Sequence, residues 1–167
     1  MKEAIIQIYL EVGTTASSSG HLQIADTMFG AAIEELQTVG EKNGSLCKVL
    51  FAVSEIYVKA GRISKALNLL KRALIISENV SGRNSSQYLE ALDRMAALFV
   101  QQGKLGTAEL YLKRAQLLES SLPIVNVNRQ LRRLLQLCAV VSERQKPQEA
   151  ECLFSEFKNL EQQLTRQ

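Results

Sequence analysis

The feature that most constrains this chain is an internal repeat with a period of about 42 residues. Four alanines mark the repeat, Ala25, Ala66, Ala108 and Ala150, and they are 41, 42 and 42 residues apart. Each alanine ends a short segment of similar layout, GHLQIA, GRISKA, GKLGTA or QKPQEA. A repeat of this length is typical of a chain that stacks one small structural unit several times. The sequence therefore predicts an array of four repeats.

Residues of similar type stand at the same distance from each alanine, and we number positions relative to it. Position −12 is small in all four repeats, and apolar residues occupy most of positions −16, −13 and −9. This spacing places the four positions on one face of a helix. Positions 0, +4 and +7 form one face of a second helix. At position −5, Gly20, Gly61 and Gly103 suit the turn between the helices because glycine tolerates positive φ.

Each repeat is thus predicted to be a hairpin of helix A, a tight turn and helix B. The A helices are predicted at 3–18, 45–60, 86–102 and 126–143, and the B helices at 21–39, 63–79, 105–120 and 148–165. The small residue at −12 and the alanine are expected where the two helices cross closely. We predict one domain, residues 1–167, with repeats at about 3–40, 45–80, 86–121 and 126–165.

The repeat resembles the tetratricopeptide repeat, whose signature is a large apolar residue, Leu–small, Tyr, Ala, Phe and a second Ala. The second repeat reads Leu50, Val53–Ser54, Tyr57, Ala66, Leu70 and Ala73, and the third reads Leu92, Met95–Ala96, Phe99, Ala108, Leu112 and Ala115. The usual period is about 34 residues. The longer period and the stretch LDRMAALFVQQGKLGTAELYLKRAQLLE resemble the kinesin light chain repeat.

This resemblance implies an all-α fold, a right-handed α–α superhelix (solenoid) of four hairpins with eight antiparallel helices. Two alternative architectures stay open at this point. One is an irregular helical bundle with coincidental spacing. The second is a HEAT or armadillo array, whose periods are similar but which does not predict small residues at these positions.

Composition and motifs do not favour an enzyme. There is one histidine, His21, and the chain has no HExxH, phosphate-binding loop or GxSxG motif. The three cysteines, Cys47, Cys138 and Cys152, form an odd, sparse set without CxxC, which indicates neither a disulfide framework nor a zinc site. We therefore expect no catalytic residue, cofactor or metal, and a cytoplasmic protein. No signal-peptide layout or membrane-spanning stretch is recognisable.

In tetratricopeptide arrays the A helices line a concave groove, and the resemblance implies the same here. The face of each A helix opposite the internal stripe lies at positions −18, −15, −11 and −7. These positions are Gln7, Leu10, Thr14 and Ser18; Lys48, Phe51, Glu55 and Lys59; Glu90, Asp93, Ala97 and Gln101; and Arg132, Leu135, Ala139 and Glu143. Arg94 is predicted to reach the same groove. Chaperone-binding members use Lys and Asn where Leu10 and Thr14 stand, so that specialisation is not predicted.

The predicted function is a protein–protein interaction module that binds a partner peptide or helix in this groove. Two alternatives remain: a self-associating scaffold, and a regulator that contacts an anionic partner through basic patches. The patches are Lys71–Arg72, Lys113–Arg114 and the RQLRR stretch at 129–133. The net charge of +3 and the interspersed acidic residues do not favour nucleic acid as the partner.

The first helix is apolar on more than one face. Tyr9 and Val12 belong to the internal stripe, and Ile5 and Ile8 extend it backward at helical spacing. Ile6 and Leu10 lie away from that stripe. A terminal helix of a solenoid needs a polar outer face to stay soluble. Two explanations are open: a preceding segment covers this helix, or the helix packs on another copy or on a partner. We predict the second, with Ile6 and Leu10 in contact with a second molecule, as in a homodimer.

Overall fold

A computed structural model of the chain describes residues 2–39, 45–122 and 126–165. Across these residues the chain forms eight helices and no strand. They are α1 Lys2–Ser18, α2 Leu22–Val39, α3 Ser45–Lys59, α4 Ile63–Ser81, α5 Ser86–Gln101, α6 Leu105–Glu119, α7 Val127–Glu143 and α8 Pro147–Thr165. The predicted helices agree with these bounds to within two residues. The all-α fold of four helical hairpins is confirmed.

The turn inside each hairpin requires a residue in the left-handed region. Gly20, Gly61 and Gly103 have φ of +79°, +71° and +70°, as their spacing predicted. The fourth repeat has no glycine there, and Gln145 adopts φ of +58° instead. A side chain in this region costs roughly 1–2 kcal/mol, so the fourth turn is the least favourable of the four in backbone terms. It closes all the same, because the Lys146 amide donates to the Val141 carbonyl at 3.2 Å.

Small residues lie at the crossing of the helices, as predicted. Ala25, Ala66 and Ala108 are completely buried. At position −12 of the first repeat, a β-carbon added to Gly13 would stand only 2.6 Å from the ring of Phe29. The two helices of this hairpin therefore approach so closely that only a glycine fits without movement of the ring.

The chain divides into two compact units, which we call the N-terminal half, Met1–Gly82, and the C-terminal half, Arg83–Gln167. Each half contains two hairpins. In the N-terminal half the hairpins meet through α2 and α3, and in the C-terminal half through α6 and α7. The single domain of residues 1–167 stays a prediction. Among the described helices, none combines the length and the apolar character needed to cross a bilayer.

Candidate functional site

A cleft of the C-terminal half lies between α5 and α7. It has a volume of about 570 Å³. Its walls are strongly polar, with four arginines, two carboxylates and three amide side chains. The lining residues are Glu90, Asp93, Arg94 and Ala97 from α5, Asn126 at the start of α7, and Asn128, Arg129, Arg132, Arg133 and Gln136 from α7.

A buried ion cluster forms the floor of the cleft. Arg133 is 2% exposed and donates two hydrogen bonds to the Asp93 carboxylate, of 2.7 and 2.8 Å. The same guanidinium also pairs with Glu119, which is equally buried. Burial lowers the pKa of Arg133, but the hydrogen bonds and charges of Asp93 and Glu119 outweigh that effect and leave the pKa raised. Arg133 therefore stays charged, and its bonds to Asp93 and Glu119 fix α7 to α5 and α6.

The remaining arginines of the cleft differ in how they are held. Arg94 pairs with Glu90 at 2.9 Å, one turn earlier in α5. Arg129 donates to the Ser86 hydroxyl at 3.1 Å. Arg132 is exposed and makes no ion pair or hydrogen bond with any residue in the described part of the chain. It is the arginine of this wall that is available to an incoming anion.

The predicted groove residues are brought together in part. The cleft unites five of them, Glu90, Asp93, Arg94, Ala97 and Arg132. Four more on the same two helices do not line it: Gln101, Leu135, Ala139 and Glu143. All four are exposed, and Leu135 is 47% exposed.

The predicted groove residues of the N-terminal half lie on α1 and α3. Leu10 and Thr14 border a shallow depression on α1 alone, with a volume of about 430 Å³. Of the predicted groove residues on α3, Lys48, Glu55 and Lys59 are exposed, and Glu55 and Lys59 pair with each other at 3.1 Å.

Phe51 needs correction. It is 3% exposed, so it does not form an apolar foothold on the groove surface. The prediction counted only its position on the face opposite the internal stripe. On a helix that packs on several neighbours, that face is itself partly covered.

The prediction for the first helix is also wrong in its orientation. Ile6 is 7% exposed and lies with Gly13 and Ala16 on the buried face of α1. The exposed apolar side chains are instead Ile8 and Val12, at 56% and 44%. The predicted homodimer contact through Ile6 is therefore wrong, because that side chain is buried inside its own hairpin.

Sequence reasoning missed two carboxylates that join neighbouring hairpins. Asp26, on α2, accepts hydrogen bonds from the Tyr57 hydroxyl at 2.7 Å and Arg62 at 2.7 Å, and also pairs with Lys65. Burial raises the pKa of Asp26, but the bonds from Lys65, Tyr57 and Arg62 outweigh this and lower it overall. The same interaction drives the pKa of Tyr57 upward, through burial and its bond to Asp26.

Glu109 has the same place in the C-terminal half. It accepts from Lys113 at 2.7 Å and Lys146 at 2.8 Å, and also pairs with Arg144. Burial opposes ionisation, but these three cations lower the pKa of Glu109 to about 2. Asp26 and Glu109 both stand at position +1, so an acid directly after the anchoring alanine was the available signal.

The side chains that line the C-terminal cleft are mainly guanidinium, carboxylate and amide groups. No group of three His, Cys, Asp or Glu side chains in the described residues could hold a metal ion. Four guanidinium groups face two carboxylates in the lining, and guanidinium forks match carboxylates in geometry and charge.

Comparison with known proteins bears on the repeat rather than on the cleft. Residues 45–116 match the sequence model of the tetratricopeptide repeat. No curated protein sequence matches the chain.

Two solved structures resemble the chain over nearly its whole length. BtubC (BKLC) from P. vanneervenii has a TM-score of 0.82 at 15% identity, over 99% of this chain and 66% of that one. This chain thus spans about two thirds of the length of BtubC. A putative kinesin light chain with nearly identical TPR-like repeats, from Podosopora anserina, has a TM-score of 0.73 at 14% identity, over 95% of this chain and 75% of that one.

The sequence match and the structural matches agree on the same repeat. The resemblance to the tetratricopeptide repeat and its kinesin light chain-like form is thereby confirmed. Residues 45–116 match the tetratricopeptide repeat, and the hairpins of the chain have the fold of kinesin light chain-like repeats.

Proposed function

We propose that the chain is a non-enzymatic protein–protein interaction module that binds an acidic segment of a partner protein in the cleft between α5 and α7. Tetratricopeptide repeats generally mediate protein–protein interaction. The cleft volume of about 570 Å³ lies within the range of about 300–1,000 Å³ that is usual for ligand sites. The cysteine pattern supports a cytoplasmic setting for this function.

The observation that carries the proposal is the free guanidinium of Arg132. Arg133, Arg94 and Arg129 hold their positions through Asp93, Glu90 and Ser86, so the wall is ordered before any ligand arrives. A carboxylate that meets Arg132 gains a charge-assisted, two-pronged bond without breaking an internal pair. A glutamate or aspartate side chain of the partner is the group that this arrangement recognises.

The alternative of an anionic partner bound through basic patches is less well supported. Lys113 is engaged by Glu109 and Glu149, and Arg114 stacks on the Tyr88 ring at 5.4 Å while donating to its hydroxyl. These two side chains hold the C-terminal half together. Of the basic pairs on the B helices, Lys71–Arg72 is the one for which no such role is evident.

Selection of random displayed peptides on the purified chain tests the proposal. We expect the selected peptides to be enriched in Asp and Glu. A selected peptide, made synthetically, should bind at least tenfold more weakly to Arg132→Glu, and Arg132→Lys should show an intermediate loss because the fork is removed but the charge is kept.

Lys71→Glu is the matched control, since it makes the same charge reversal at an exposed position outside the cleft. It should leave binding unchanged. Peptides without acidic enrichment, or equal binding to Arg132→Glu and to the parent, would contradict the proposed site. Loss of binding in Lys71→Glu alone would favour the basic-patch alternative.

A further inference from the structure

Within each half, the junction between the two hairpins brings position +4 of helix B against the inner positions of the next helix A. In the N-terminal half, Phe29 at +4 packs edge-on against Tyr57 at −9 of the next repeat, with ring centroids 5.7 Å apart. In the C-terminal half, Leu112 at +4 shares one buried cluster with Leu134 and Leu137, at −16 and −13 of the next repeat. Helix B of one hairpin thus covers positions −16, −13 and −9 of the next helix A.

The equivalent surface of α1 is apolar and partly exposed, although Tyr9 at −16 is half-buried and Ala16 at −9 is only 9% exposed. Ile5, Ile8 and Val12 are 38%, 56% and 44% exposed. Most of their counterparts in later repeats are buried, at 2% exposure or less: Leu46 and Tyr88 for Ile5, Ala91 and Arg133 for Ile8, and Val53, Met95 and Leu137 for Val12. The first repeat therefore exposes the surface that helix B of a preceding hairpin would cover, and we call it the receiving surface.

The last hairpin exposes the residues that would cover a following helix A, and we call them the covering surface. Phe154 stands at +4 and is 46% exposed, whereas Phe29, Leu70 and Leu112 at this position are at most 1% exposed. Leu135, on α7, is also 47% exposed. It stands at −15, where Asp93 of the third repeat grips Arg133 at −17 of the fourth.

The receiving surface and the covering surface complement each other position by position. In the register of the internal junctions, Leu135 at −15 would meet Ile8 at −17, an apolar pair where Asp93 and Arg133 form an ionic one. The large Phe154 would meet the small Ala16 at −9, where Phe29 meets Tyr57. Glu151 at +1 would meet His21 at −4.

The same +1 and −4 positions are bridged inside the chain. Asp26 meets Arg62 at 2.7 Å, and Glu109 meets Lys146 at 2.8 Å. In the proposed contact the His21 imidazole can donate to the Glu151 carboxylate. The proposed contact between Glu151 and His21 therefore keeps the charge pattern of the internal junctions.

We propose that the chain associates head to tail with a second copy of itself, with α7 and α8 of one molecule covering α1 of the next. The contact continues the junction that the chain already contains, so no new type of interface is needed. Because the two surfaces differ, the association is heterologous, and it leads to a ring or an open filament rather than a closed dimer. The inference is independent of the α5–α7 cleft.

Light scattering and sedimentation over a concentration series test this association. The parent chain should form species heavier than twice the 18.6 kDa monomer as concentration rises. Ile8→Lys removes the receiving surface and Leu135→Glu the covering surface, and each should abolish all species heavier than the monomer. Both side chains are about half exposed, so folding should be retained, and circular dichroism melts check this.

Mixing the two variants gives the sharpest result. Ile8→Lys keeps the covering surface intact, and Leu135→Glu keeps the receiving surface intact. An equimolar mixture should therefore form one species of twice the monomer mass and nothing heavier. Leu117→Glu, at a B-helix position that is 75% exposed and outside the junction, is the control and should assemble like the parent.

Three results would overturn the inference. One is a parent that stays monomeric at every concentration, which would leave α1 to a different occupant. Another is an Ile8→Lys effect without a Leu135→Glu effect, which indicates contact between two α1 helices. The third is equal loss in Leu117→Glu, which indicates non-specific apolar association.

Discussion

The two halves of the molecule build the same junction between hairpins with opposite chemistry. In the C-terminal half, Arg133 at −17 bonds Asp93 at −15 and Glu119 at +11 of the preceding repeat. The corresponding residues of the N-terminal half are Val49, Leu10 and Leu36, and all three are half-buried. One half thus holds an ionic triad where its counterpart holds three aliphatic side chains.

The difference shows that the repeat requires side chains at positions −17, −15 and +11 to match one another. It does not require the match to be ionic or aliphatic. An ionic cluster has to offset a desolvation cost of several kcal/mol per ion, and its net contribution over aliphatic side chains is often nil or negative. A second contact is the same in kind in both halves, since Asp26 and Glu109 both bridge to cations of the next hairpin. The second repeat has Leu67 at that position and therefore carries no carboxylate there.

Breaking the triad on one side should give the largest effect. Arg133→Met leaves Asp93 and Glu119 buried without their cation and should lower the free energy of unfolding by about 3–5 kcal/mol. Urea denaturation measures it. Arg132→Met is the matched control, because the neighbouring arginine is exposed, and it should change stability by no more than about 0.5 kcal/mol.

The stronger form of the experiment copies the N-terminal half. The triple variant Asp93→Leu, Arg133→Val, Glu119→Leu removes all three charges together and should be as stable as the parent or more stable, by up to about 4 kcal/mol. If the triple variant were as unstable as Arg133→Met, the two junctions would not be interchangeable solutions of one packing problem.

The closest helix crossings should be equally intolerant in both halves. Ala66→Leu and Ala108→Leu each insert a large side chain at a fully buried position and should destabilise by about 1–3 kcal/mol through overpacking. Thermal melts measure the loss. Ala52→Leu and Ala139→Leu, at exposed positions of α3 and α7, are the controls and should have little effect. A parent-like Ala66→Leu or Ala108→Leu would contradict the repeat register.

The fold could be predicted because the repeat states its geometry four times. Period, glycine position and small residues agreed at three turns, and their spacing located the fourth turn at Gln145 although its glycine is missing. The arrangement of surfaces could be predicted less well. Helical spacing separates faces by angle, but does not say which face meets the hairpin partner and which meets the next repeat. Ile6 and Phe51 were assigned to surfaces for this reason, and both are buried.

The cleft was half predicted. Five of its lining residues followed from positions on the A helices, among them Asp93 and Arg132. The role of Arg133 could not be predicted, because its partners stand 40 and 14 residues away and nothing local distinguishes it from its neighbour Arg132. Whether an arginine of a basic stretch is buried or free depends on which carboxylates the neighbouring hairpin presents.

A smaller effect separates the two bridges between hairpins. Asp26 accepts a hydroxyl bond from Tyr57, whereas the partners of Glu109 are all cations. Tyr57→Phe should lower the free energy of unfolding by about 1 kcal/mol, since Asp26 keeps Arg62 and Lys65 and the ring contact with Phe29 remains. Urea denaturation measures it. Tyr111→Phe, where the ring stacks on Phe99, should be neutral; an equal loss there would mean that the hydroxyl bond is not the cause.

The last prediction concerns the dependence of stability on acid. The pKa of Glu109 is about 2 in the folded chain, against an ordinary value of 4.5, so folding favours its ionised form. The resulting stability is present above pH 4.5 and is lost as the pH falls toward 2. Glu109→Gln removes this contribution at every pH. The variant should therefore be less stable than the parent at pH 7, and the difference should narrow between about pH 4.5 and 2.

The pKa of Asp26 is also lowered, from an ordinary value of 3.8, so Asp26→Asn should show the same trend in the N-terminal half, beginning at lower pH. Urea midpoints at pH 7, 4.5, 3 and 2 measure both variants against the parent. Glu161→Gln, an exposed carboxylate on α8, is the control for the removal of one charge. A stability difference for Glu109→Gln that stays constant down to pH 2 would mean that the three cations act on the shape of the junction and not through the charge of Glu109.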